Sequence, residues 1–172
     1  ITVALPEMFL LTMACLVLVV DVFLSQDKRN VTYILSQLSL VGTFVLVLAG
    51  QTDSRVLAFN DLFVQDAMAD ILKLFVLIIC FAVFVYSRDY LVDRNNFKGE
   101  FYVLGLFSLL GMMLMISANH LLTLYLGLEL LSLCLYAMVA FNRDDGNASE
   151  AAMKYFVLGA IASGMLLYGM SI

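Results

Sequence analysis

The chain has 172 residues, 63% of them hydrophobic and 13% charged, and a mean hydropathy of +1.01. This exceeds what a soluble domain of that length needs for its core and defines an integral membrane protein. The formal charge of −5 is spread over loops and helix ends rather than gathered in a tail or patch, so nucleic-acid binding has no support.

The first apolar run, 4–24, has no basic residue before it and no small-residue cleavage site after it. It reads as a mature spanning helix rather than a secretory leader, with Asp21 as an interfacial residue. Five more runs follow at 32–49, 67–86, 101–117, 121–141 and 150–172, each near the length that crosses a bilayer. The fold class expected is therefore an all-α integral membrane protein, a single transmembrane helical domain of six spans. The chain opens on Ile1 without a methionine and stops inside an apolar run at Ile172, as part of a longer polypeptide would. Between the second and third spans, apolar runs flank Asn60 and Asp61, the pattern of a small hairpin at the membrane surface. Tyr86, Tyr90, Phe97, Phe101 and Tyr102 read as an interfacial aromatic belt. Gly105 and Gly111, and the pairs Gly159 with Ser163 and Ala160 with Gly164, permit close helix approach. Alternate loops hold Lys28, Arg29, Arg88, Arg94, Lys98 and Arg143, against Arg55 alone on the other side, which places the N-terminus outside.

Cys15, Cys80 and Cys134 fall in three separate apolar runs, with no C-x-x-C pair and a single histidine, His120. This argues against a disulfide framework, a zinc site, an iron–sulfur cluster or bis-histidine haem.

Chemistry concentrates on the fifth span. Glu129 stands near its centre, where an acidic side chain costs about 2.5 to 3.5 kcal/mol by analogy with Asp, so something must compensate for it. Tyr125, Glu129, Ser132 and Tyr136 follow at i, i+4, i+7 and i+11 and form one polar seam. Glu129 reads either as a proton carrier or as a protonated acid bonding a neighbouring helix. Lys154 follows Glu150 by one turn at the start of the sixth span, as a relay or as a snorkelling lysine in a local ion pair. Asp66, Asp70 and Lys73 form a charged stripe at the start of the third span. There Lys73 pairs with Asp70, reaches outward, or takes a functional role. His120 is a loop histidine or a point of proton entry or exit.

The runs SANHLLTLYLGLELLSLCLYAMVAF (117–141) and EAAMKYFVLGAIASGMLLYGMS (150–171) resemble the antiporter-like N subunits of the proton-pumping NADH-quinone oxidoreductases, respiratory complex I. The resemblance is strong from Glu100 to Ser171; before that it rests on helix number and on LPEMFLL at 5–11. It implies a fold of about fourteen helices of which this chain supplies six. The family's fifth-helix glutamate falls on Glu129, its sixth-helix lysine and the preceding acid on Lys154 and Glu150, and its central lysine beyond Ile172. Where some family members carry proline, this chain has Cys134, whose N–H allows a straighter fifth helix. The resemblance further implies a proton-translocating subunit in a bacterial or mitochondrial inner membrane, partnered by other membrane subunits and lipid. It implies no cofactor in this chain, with NADH, FMN, iron–sulfur clusters and quinone handled elsewhere. Two alternatives stay open: a subunit of a multi-subunit sodium/proton antiporter, and a structural membrane module without transport.

Overall fold

The computed structural model describes residues 2–24, 30–52, 55–93, 99–142 and 145–172. Within them a short 3-10 turn leads into α1 (Leu5–Phe23), followed by α2 (Asn30–Ala49), β1 (Val56–Ala58), β2 (Phe63–Gln65), α3 (Ala67–Asp93), α4 (Glu100–Ile116), α5 (Leu121–Val139) and α6 (Gly146–Ser171). All six expected spans are helices, and five are long and apolar enough to cross a membrane; α4 has 17 residues. Two boundaries move. α3 continues past Tyr86 to Asp93, because the following residues include neither proline nor glycine, and α6 begins at Gly146, where the Asp145 side chain accepts a hydrogen bond from Asn147 N at 2.9 Å. Of the loop cations behind the expected orientation, Lys28, Arg29, Arg94, Lys98 and Arg143 lie outside the described residues, as does Phe97 of the belt.

Helix α4 is the hub. Its Tyr102, Leu106, Leu109 and Met113 are completely buried, against α1, α3 and α5. A Cβ on Gly111 would lie 2.8 Å from Gly127 O, and one on Gly127 would lie 2.9 Å from Gly111 O, so α4 and α5 cross backbone to backbone at this glycine pair. Gly105 instead makes room for the Phe84 ring of α3, and Gly159 for the Tyr136 hydroxyl. Nothing in the fold approaches Gly164, so the Ala160–Gly164 pair packs no helix among those described. Tyr102, expected in the interfacial belt, is a core residue stacked edge-on against Tyr33, Phe84 and Phe101, while Tyr86 and Tyr90 are exposed as a belt requires.

Three buried hydroxyls on α2 are satisfied within the helix. Ser36, Ser39 and Thr43 donate to Tyr33 O, Leu35 O and Ser39 O at 2.7, 2.7 and 2.8 Å, which lets a polar stripe pack at no cost in orphaned groups. Thr32 donates to Asp21 Oδ1 at 2.7 Å and ties α1 to α2 at the end opposite the hairpin.

The anticipated hairpin is present, with Val56 opposite Gln65 and Ala58 opposite Phe63. Its turn places Phe59, Asn60 and Asp61 in the left-handed region at φ 56°, 54° and 65°, a conformation Asn and Asp tolerate and phenylalanine rarely adopts. The hairpin is fastened to the α4–α5 turn: Val64 N donates to Ser117 O at 2.8 Å, Asn119 Nδ2 to Asp61 O at 2.8 Å, and Arg55 Nη2 to Asn119 Oδ1 at 2.9 Å. One end of the bundle is therefore the hairpin end, where α1, α3 and α5 begin.

Candidate functional site

Glu129 is the ninth of nineteen residues in α5 and is half-buried. Its partner comes from α6: Ser163 Oγ donates to Glu129 Oε1, and the same hydroxyl lies 2.9 Å from Tyr125 OH. Carboxylate, serine and phenol thus form a continuous hydrogen-bonded chain across the α5–α6 contact. A hydroxyl both donates and accepts, so such a chain passes a proton by reorienting, without a side chain having to travel. Tyr136 extends the seam by packing, its ring edge-on to Tyr155 at 4.6 Å and to Phe156 at 5.7 Å, and its hydroxyl over Gly159. Ser132 is half-buried on the same helix. Helix α5 runs unbroken through Cys134, as the N–H at that position allows.

Lys154 and Glu150 pair at 2.6 Å with side chains 71% and 64% exposed. Lys154 precedes Ser163 by nine residues, about 13 Å along the helix, so this pair and the Glu129 chain are separate places on α6. His120 is the N-cap of α5: its Nδ1 accepts from Leu122 N at 3.2 Å while the ring is exposed, a structural task that accounts for its position.

Lys73 departs from both of the simple expectations. It neither reaches outward nor forms its ion pair with Asp70; it is 1% exposed and meets Glu7 Oε1 of α1 at 2.6 Å. The Phe63 ring covers the ammonium at 5.2 Å. Asp70 is also buried, held by Gln65 Nε2 at 3.3 and 3.2 Å, and that amide donates to Gly50 O at 2.7 Å. Asp66 caps α3 by accepting from Ala69 N at 2.7 Å. Glu7 and Ser163 are the two site residues that reading the chain alone does not single out. Glu7 is the one ionisable side chain in the first twenty residues apart from Cys15, and Lys73, deep for snorkelling, needs an anion. Ser163 was visible only as a small residue spaced four from Gly159.

The bundle, with an ionisable side chain held at mid-span by a hydroxyl from the next helix, shares the antiporter-like class of the family and the structure that it matches. The model of the NAD(P)H-quinone oxidoreductase subunit 2 N-terminal family matches residues 1–89, and that of the NADH:quinone oxidoreductase/Mrp antiporter transmembrane family matches residues 118–172. NADH-quinone oxidoreductase subunit N of Thioalkalivibrio sulfidiphilus is 62% identical over 97% of this chain, and that of Alkalilimnicola ehrlichii is 56% identical over 99%. In each case the match covers 35% of the relative. A structure of respiratory complex I from Thermus thermophilus with bound aureothin superposes with a TM-score of 0.77 at 28% identity, covering 95% of this chain and 35% of that one. The chain belongs to the NAD(P)H-quinone oxidoreductase subunit 2 N-terminal family and spans about a third of the length of these relatives. It is a multi-pass membrane protein, and these relatives are bacterial.

Proposed function

We propose that this chain is part of a proton-translocating membrane subunit of an NADH-quinone oxidoreductase, and that Glu129 is the group in it that takes up and releases a proton. The observation that carries the reading is the Glu129–Ser163–Tyr125 chain, which supplies the compensation a mid-span carboxylate demands and a path for its proton. The Ser163 hydroxyl donates to the carboxylate as placed; rotated, it accepts from the protonated acid, so Glu129 keeps its partner in either protonation state. Lys154, with Glu150 beside it, modulates or relays that state from the end opposite the hairpin, the side that loop charge places inside.

In this reading the chain is non-redox. NADH, FMN, iron–sulfur and quinone chemistry then belongs to partner subunits, which drive the proton step from a distance. Near-complete coverage by relatives named as N subunits favours this function over a sodium/proton antiporter subunit or an inert module.

The test is NADH-driven proton uptake alongside NADH oxidation in inverted vesicles whose assembled complex carries Glu129→Gln in the full-length subunit. Glutamine keeps size and hydrogen bonding and removes titration. A fall in uptake with assembly preserved is expected; unchanged uptake contradicts the assignment.

A further inference from the structure

Glu129 and Ser163 account for none of the charge buried at the hairpin end. There Glu7 and Lys73 meet with side chains 5% and 2% exposed, a placement whose desolvation cost mutual attraction repays only in part. Glu7 Oε2 is buried without a hydrogen-bond partner among the described residues, and so is Ser117 Oγ. Ser117 adjoins Ala118, which bridges Phe63, whose ring covers the Lys73 ammonium. Orphaned buried oxygens are the ordinary seats of internal water. A cavity of about 240 Å³ lies at the same end of the bundle, lined by Val3, Leu5, Pro6, Leu46, Gly50 and Gln65, the last being the residue that also holds Asp70. One water takes about 30 Å³ in the liquid, so the space accommodates several. The acids at the start of α3 are committed, Asp70 to Gln65 and Asp66 to Ala69 N, and Arg55 of the hairpin donates to Asn119. Helices α2 and α4 bring no ionisable side chain to this end.

We propose that Glu7 and Lys73 form a second proton-exchange site, served by water from the hairpin end. In its step an Nζ–H bond of Lys73 breaks and an Oε–H bond of Glu7 forms, directly or through one water, so both buried charges vanish together. The Oε–H bond of Glu7 then breaks as its proton passes to water at the hairpin end, and an N–H bond forms at Lys73 Nζ with a proton taken from hydronium on that side, which restores the pair. Lysine suits the task because, unlike arginine, it can give up its proton.

The proposal rests on the chain's working in a proton-translocating complex, and its test separates the two. Two variants of the full-length subunit are assembled into the complex and assayed in inverted vesicles for proton uptake per NADH oxidised. E7D/K73R keeps both charges and nearly the summed side-chain length but holds its proton fixed; E7Q/K73M replaces the pair by neutral groups. The expected result is that both assemble and both lose uptake per NADH. Either variant pumping at the parent ratio reduces the pair to a structural clasp and overturns the proposal. Should E7D/K73R fail to assemble, E7Q/K73M decides by the same reading. E129Q is measured beside them: normal pumping there contradicts the role of Glu129, while the role of Glu7 stands or falls by its own variants.

Discussion

Glu7 and Glu129 are both carboxylates within apolar helices, and their surroundings differ in every respect that matters. Glu7 is 4% exposed, faces an ammonium at 2.6 Å and is closed over by a hairpin fastened to the α4–α5 turn. Glu129 is half-buried and is held, among the described residues, by the Ser163 hydroxyl of α6. A carboxylate locked to a cation is costly to disturb, whereas one that shares a hydroxyl changes protonation with little rearrangement. The contrast makes the Glu7 pair the costlier of the two to break.

The sharpest way to break that comparison is to remove one member of the buried pair. Lys73→Met leaves the Glu7 charge uncompensated and is expected to cost about 3 to 5 kcal/mol, read as lost assembly or a lower thermal midpoint of the purified complex. Adding Glu7→Gln to it should restore much of the loss; if Lys73→Met alone is neutral, the pair contributes little. Next in size is the helix crossing. Gly127→Ala pushes a methyl to 2.9 Å from the Gly111 carbonyl, and about 1 to 3 kcal/mol should be lost in the same thermal assay. Ser163→Ala should cost about 1 to 3 kcal/mol or shift the pH at which uptake is half-maximal, because Glu129 loses its donor. Ser163→Thr, which keeps the hydroxyl, should recover the parent profile. The smallest effect is reserved for His120→Ala, which removes one exposed cap and about 1 kcal/mol or less while leaving proton uptake per NADH unchanged. A drop in that ratio would return His120 to the proton path.

The helices were legible because a spanning segment declares itself by length and hydropathy, and so was the hairpin, marked by apolar runs around Asn60 and Asp61. Helix ends were less so: α3 runs on through Ser87 and Arg88, since polarity alone does not stop a helix that lacks a breaker. Glu129 was legible because mid-span charge is anomalous wherever it occurs. Its partner was not, since Ser163 lies 34 positions away and a serine in a membrane helix usually serves packing. Lys73 shows the same limit from the other side. Local spacing nominated Asp70, three residues away on its own helix, yet the fold supplied Glu7 from α1 and gave Asp70 to Gln65. Spacing within one helix ranks near neighbours, whereas pairing across a bundle is set by which faces α4 draws together.

The mechanism requires Glu129 to change its protonation during turnover, and infrared difference spectra of the assembled complex, recorded with and without NADH, observe this directly. A carboxylic C=O band should arise on turnover, vanish in Glu129→Gln and shift in Ser163→Ala. Spectra that are the same in the parent and in Glu129→Gln would mean that the carboxyl at the centre of α5 does not exchange a proton.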